Sequence, residues 1–228
     1  KAVQALQGAD VMLYDDLVTP EVLDLARREA TRIAVGKTGH GASCAQEEIT
    51  LLMVRLAREG RRVVRLKGGD PMIFGRASEE IDAARAAGIP VEVVPGVSTA
   101  QAAAAALGVS LTERSVARRL QFVTGHDATG ALPDDVDWAA LADPGASTAV
   151  YMPRRSLEEL VGRLIAHGLP PMTPAIAIAS VSRPEQAHVA VPVADLPRQA
   201  DALASGPLLV LIGRAFGRQA PQACAAAA

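Results

Sequence analysis

Several short stretches of this 228-residue chain place a charged or glycine-rich tip directly after a run of aliphatic residues. They are Tyr14-Asp15, Gly36-Lys37, Lys67-Gly68-Gly69-Asp70 and Pro95-Gly96-Val97-Ser98-Thr99. A carboxylate such as Asp15 can accept a proton, and a lysine such as Lys37 can hold or relay charge. Adjacent glycines let a ligand reach main-chain N–H and C=O groups with no Cβ in the way. Residue type alone leaves plainer readings open: Asp15 suits a solvated turn, and Gly68-Gly69 suits a tight strand-to-helix turn. Position favours chemistry, because the strand exits of an open parallel sheet share one edge, and ligands bind in the crevice there.

Other chemistries find little support. The chain lacks the GxGxxG spacing of dinucleotide folds, the GxxxxGK[ST] of phosphate loops and a GxSxG elbow. Its histidines, His40, His126, His167 and His188, are scattered without metal-ligand spacing, so no metal site is expected. Cys44 and Cys224 form neither a ligand pair nor a disulfide framework, which suits a reducing cytoplasm. A net charge of -2 argues against a general nucleic-acid surface, so an anionic ligand must meet a local cluster of cations. Without an apolar run of bilayer length or a signal peptide, the expectation is a cytoplasmic protein that binds no membrane. The chain opens at Lys1 inside a helical pattern, and we expect an N-terminal piece to be missing.

The elements that carry these tips alternate. Strands are expected at Val11 to Tyr14, Arg32 to Val35, Val63 to Leu66 and Val91 to Val94, because β-branched and aliphatic residues cluster there between turn signals. Helices are expected from Ala2, from Pro20, from a capping box at Ser43 and Gln46, from Ala77 and in the alanine-rich run before Gly108. Such alternation implies a mostly parallel sheet covered on both faces. Beyond Leu111 the texture changes. Strands are expected at Leu120 to Thr124, Thr148 to Met152, Ala175 to Ala179, His188 to Val193 and Leu208 to Ile212. Several follow one another without a helix between, so this second sheet should be partly antiparallel. The predicted architecture is therefore α/β in two domains, residues 1–113 and 114–215, with a disordered tail over 216–228.

The string RLKGGDPMIFGR, from Arg65 to Arg76, resembles the glycine loop of uroporphyrinogen-III C-methyltransferases, in the tetrapyrrole methyltransferase family. ADVMLYDDLV, VGKTGH, QEEI, VVPGVST, TGH at Thr124, YM at Tyr151 and TPAIA at Thr173 follow in that family's order along nearly the whole chain. The resemblance implies two α/β domains with an active-site cleft between them, in which S-adenosylmethionine binds. It assigns the cofactor to Gly68, Gly69, Asp70, Ile73, Ser98, Thr99, Met152 and Val181, and proton transfer to Asp15 as acceptor and Lys37 as donor. The implied substrate is a tetrapyrrole with many carboxylate arms, methylated twice to precorrin-2 for sirohaem or cobalamin; S-adenosylhomocysteine is the by-product. Lys67 and Arg76 are the candidate cations for those arms, followed by Arg114 and Arg118. A homodimer without metal is implied as well. The alternatives are a methyltransferase acting later on the corrin path, or a member that binds ligand without turnover.

The sequence departs from the family at Asp16, where arginine is usual, at Met72 for phenylalanine, at Ala77-Ser78 for a glycine pair and at Pro153 for glycine. These changes bear on loop shape more than on reaction type.

Overall fold

A computed structural model describes residues 1–36, 46–127, 131–133 and 135–217. The chain divides into two compact units, Lys1–Ser98 and a second from Thr99 onward. Both are α/β.

In the first unit, helix α1 (Ala2–Gly8) leads into strand β1 (Val11–Tyr14), which lies between β2 (Thr31–Ala34) and β3 (Val63–Leu66). All pairings are parallel, with Tyr14 opposite Ala34 and Leu66, so the three strands end level. Successive residues of β1 face opposite sides of the sheet, as the pleat requires. Val11 and Leu13 pack with Val35, Ile49 and Leu56, whereas Met12 packs with Leu6 and Ala26. Ile49, Leu52 and Leu56 recur at i, i+3 and i+7 on helix α3 (Gln46–Arg58), which presents one apolar stripe to the sheet. Gly60, at φ +79°, closes that helix in a conformation that a side chain would strain. Helix α2 (Pro20–Leu23) is shorter than the expected pattern through Ala26: it is capped at Asp24, and Leu25 remains exposed. Helix α4 (Ala77–Ala86) follows the glycine loop.

The strand expected at Val91 to Val94 does not form among the described residues. Val91 and Val93 are 40% and 42% exposed. Valine-rich composition marks a segment able to fit a pleated surface, but a ladder needs a neighbour, and no described strand pairs with this one.

The second unit begins with helix α5 (Thr99–Leu107). It continues through β4 (Arg119–Thr124), α6 (Trp138–Leu141), β5 (Ala146–Tyr151), α7 (Leu157–Ala166), β6 (Pro174–Ala179), β7 (Ala187–Pro192), α8 (Leu196–Ala200) and β8 (Leu208–Ile212). The strand order is β4-β5-β8-β6-β7, with β4 and β5 parallel and the remaining pairs antiparallel. Every residue of β5 and β8 is buried, as expected of central strands covered on both faces. Leu157, Leu160, Val161 and Leu164 of α7 share one core with Val150, Ala177 and Val210. Phe216, assigned to the tail, is buried and Gly217 is exposed, while residues 218–228 of that predicted tail lie outside the described residues. The texture change at Leu111 placed the boundary after Glu113, whereas contacts divide the chain after Ser98. Among the described residues no helix is long and apolar enough to cross a membrane.

Candidate functional site

In the first unit, the exits of β1 and β3 and the turn after Val94 meet. Asp15 Oδ1 accepts the Leu17 N–H at 3.0 Å, which shapes the β1 exit as a tight Asx turn. Leu17 lies so close to the glycine loop that a Cβ on Gly68 would come within 2.8 Å of its own Cβ. Gly69 has φ +76°. Asp70 joins the other side: Oδ1 accepts Met72 N–H at 2.8 Å and Oδ2 accepts Gly96 N–H at 3.0 Å. A Cβ on Gly96 would lie 2.2 Å from the Gly69 carbonyl oxygen, so the two loops run main chain against main chain. Ile73 N–H closes the turn onto Asp70 O at 3.2 Å. Phe74 and Arg76 hold φ values of 51° and 53°, unusual for residues with a side chain and commonest where a loop is held for function. Ser98 is buried at the end of this unit.

Beneath the loop is a cluster of charges that sequence reasoning missed. Glu80 Oε1 accepts from Gln46 Nε2 at 2.8 Å, from Arg65 Nε at 3.2 Å and from Lys67 Nζ at 3.0 Å. Lys67 Nζ also donates to Gly75 O at 2.5 Å. Burial holds the Lys67 ammonium below the ordinary lysine value, while its hydrogen bond to Glu80 pulls it back up. The Lys67 side chain is only 8% exposed and turned inward, a placement that does not fit the substrate contact expected of it. Arg76 is exposed and meets Glu79 with two bonds, at 2.8 and 2.7 Å, which raise its pKa further. A signal for the cluster was present in Arg65, a charge inside an otherwise apolar strand, and such a charge requires a partner. Ala77, Glu80 and Ala84 then mark the buried face of α4.

In the second unit, β4, β5 and β6 run the same way, because β5 and β6 both pair antiparallel with β8. Their exits therefore share one edge: Thr124-Gly125, Tyr151-Met152 and Ala179-Ser180-Val181. Met152 has φ 57°, and Ser180 and Ser182 have φ 52° and 63°. Met152 N–H and Ser180 N–H donate to Leu208 O and Pro207 O at 3.0 and 2.9 Å, which secures both exits on the start of β8. Met152 is 39% exposed. The hydroxyl of Tyr151 accepts the Ala100 N–H at 3.2 Å, which brings Thr99 and the start of α5 to the same strand exit. Pro153, one of the departures, presses on Gly125, where a Cβ would lie 2.5 Å from the proline Cα. At this exit His126 Nδ1 is buried without a hydrogen-bond partner.

Asp15, Gly68, Gly69, Asp70 and Ile73 thus gather in the first unit, and Thr99, Met152 and Val181 share a sheet edge in the second. Lys37 lies outside the described residues, as do Ser43, His40, Cys44 and Cys224. Arg118 donates through Nε to Arg114 O at 2.7 Å on the surface of the second unit. Among the described residues no group of three or more His, Cys, Asp or Glu side chains is placed to hold a metal ion.

Comparison with known proteins places this arrangement. A profile of the tetrapyrrole (corrin/porphyrin) methylases matches residues 1–197. A siroheme synthase of Gluconacetobacter diazotrophicus is 45% identical over 218 residues, which cover 94% of this chain. The chain spans 46% of that relative's length. A crystal structure of uroporphyrin-III C-methyltransferase from Thermus thermophilus is 42% identical, with a TM-score of 0.74 over 94% of this chain and 87% of its own. Another structure of an enzyme of that name from the same organism, complexed with S-adenyl homocysteine, is 33% identical with a TM-score of 0.77, covering 93% of this chain and 89% of its own.

Proposed function

The chain belongs to the tetrapyrrole (corrin/porphyrin) methylase family, and on that premise we propose that it is an S-adenosylmethionine-dependent uroporphyrinogen-III C-methyltransferase forming precorrin-2 by two successive methylations. The observation that carries this reading is the loop Gly68–Gly69–Asp70, held main chain to main chain against Gly96 while Gly68 and Gly69 stay exposed at the exit of β3 with no side chain over their backbone groups. Such a cradle fits a ligand with amino, carboxylate and hydroxyl groups. The likeness to siroheme synthase and to the Thermus enzyme supports the choice of substrate.

S-adenosylmethionine, when bound, supplies an electrophilic methyl group on a sulfonium. In the reaction, an electron-rich pyrrole carbon forms a bond to that methyl, the sulfur–methyl bond breaks with its electron pair going to sulfur, and the ring later loses a proton. Asp15 is the acceptor for that proton in this reading, with Lys37 as its donor counterpart. Met152 and Val181 supply apolar wall, and the thioether of Met152 adapts its shape to a ligand. Arg76 meets a substrate carboxylate by exchanging away from Glu79, since an exposed pair of this kind contributes only about 0.5 kcal/mol. The same reading takes the working enzyme to be a cytoplasmic homodimer.

The test is a methyl-transfer assay with uroporphyrinogen III and S-adenosylmethionine labelled in the methyl group. Two labelled methyl groups per tetrapyrrole are expected in the product. Absence of labelled tetrapyrrole from a preparation that binds S-adenosylhomocysteine would overturn the reading.

A further inference from the structure

Two cations, Arg65 on β3 and Lys67 just past its end where the glycine loop begins, have side chains only 11% and 8% exposed. Burying either without a counter-charge would cost several kcal/mol. Their counter-charge is Glu80, itself 5% exposed, from the helix on the far side of the loop. Both cations bond to it. Arg65 gives Nε to Glu80 at 3.2 Å and Nη1 to Leu66 O at 2.8 Å. That leaves Nη2 directed at Asp15 Oδ2, at 3.7 Å. Lys67 is held on Glu80 Oε2 at 2.9 Å, and its other bond fastens the carbonyl of Gly75. One carboxylate therefore sets both the guanidinium that faces Asp15 and the lysine that closes the loop.

We propose that Glu80 is a positioning residue of the methyl-transfer site: it orients Arg65 against Asp15 and, through Lys67, closes the glycine loop on the Gly75 carbonyl. The inference rests on the reading of Asp15 as proton acceptor and of the loop as the cofactor cradle. Stability alone does not explain the arrangement, since well-packed apolar residues often replace buried ion pairs at no loss. The charges give a reason. Asp15 and Glu80 balance Arg65 and Lys67, and with Glu80 replaced by a neutral residue Arg65 loses the partner of its Nε that keeps Nη2 facing Asp15. Asp16, next in the chain, is the other carboxylate beside Asp15.

The experiment compares the full chain with Glu80→Gln, Glu80→Asp, Arg65→Gln and Lys67→Met. Calorimetry with S-adenosylhomocysteine gives affinity and the number of competent sites, and methyl transfer is expressed per competent site. Glu80→Gln is expected to lower kcat per site and to weaken S-adenosylhomocysteine, each by about tenfold, because both halves of the site lose their geometry. Arg65→Gln should lower kcat more than affinity, Lys67→Met should do the reverse, and Glu80→Asp should recover part of both losses. Wild-type values per site in Glu80→Gln, with only a lower Tm or fewer sites, would overturn the proposal. Should Glu80→Gln fail to fold, the opposite biases of Arg65→Gln and Lys67→Met decide, and equal effects of the two would overturn it. If the wild type binds S-adenosylhomocysteine but methylates nothing, the proposed reaction fails, while the affinity arm still reads the loop.

Discussion

The backbone amide of Gly96 donates to the Asp70 carboxylate at 3.0 Å, so the turn after Val94 and the glycine loop after β3 are one structural unit. Because Gly96 also abuts the Gly69 carbonyl, any side chain at position 96 must displace the loop. Gly96→Ala is therefore expected to weaken S-adenosylhomocysteine at least about tenfold, as loss of loop geometry implies. Both β-sheets should survive, since Gly96 belongs to neither. Calorimetry beside far-ultraviolet circular dichroism separates the two effects. Unchanged affinity with an intact fold would remove the loop from the proposed cofactor site.

Asp15 offers a cleaner substitution. Its Oδ1 accepts the Leu17 amide, a bond that the carbonyl of an asparagine can also make. Asp15→Asn should then keep the turn and the fold, while losing the group proposed to take the proton. We expect kcat to fall by roughly 10²–10⁴-fold, the usual contribution of a positioned base. Single-turnover methyl transfer measures it. A rate near that of the wild type would assign the proton to another group.

In the second unit the start of α5 depends on one phenol. The Tyr151 hydroxyl accepts the Ala100 amide, and its ring lies 5.6 Å from that of Phe122. Tyr151→Phe preserves the ring contact and removes the acceptor. A buried amide without a partner costs about 1–3 kcal/mol, so denaturant unfolding should show a loss near the low end of that range. Hydrogen exchange at Ala100 should speed up more than at the core strand β8. Uniform exchange across the unit would show that the phenol does not hold the helix.

Much of this could be read from residue patterns because it depends on neighbours in the chain. Gly60, Gly88 and Gly168 end helices where a left-handed residue is needed, and the structure has them at φ 79°, 71° and 99°. The strand exits likewise follow from where aliphatic runs stop. Arg65 with Glu80 did not emerge, because a strand residue and a helix residue meet there across a loop, and periodicity reports faces rather than partners. The inward turn of Lys67 was missed for the same reason: a lysine beside a glycine loop looks free until its counter-charge is known. Val91 to Val94 shows the converse, a run with strand composition and no described strand beside it. The break after Ser98 was also hidden, since α5 is tied to β5 through a tyrosine side chain far along the sequence.

Asp10 predicts an acid dependence of stability. Its Oδ2 accepts the Arg62 N–H at 2.8 Å and Oδ1 pairs with Arg27, so one carboxylate links β1, the segment after α2 and the start of β3. The Arg62 amide is the main cause that holds its pKa below the ordinary 3.8, with desolvation acting against it and Arg27 assisting. A carboxyl group depressed on folding contributes stability above its unfolded value, and that contribution fades as pH falls through the folded one. Asp10→Asn should therefore unfold at a lower temperature than the wild type at pH 7. The gap between them should narrow as pH drops below about 4. Thermal unfolding of both proteins from pH 7 to pH 3 measures this, and a gap constant across that range would show that the Asp10 charge contributes nothing to the fold.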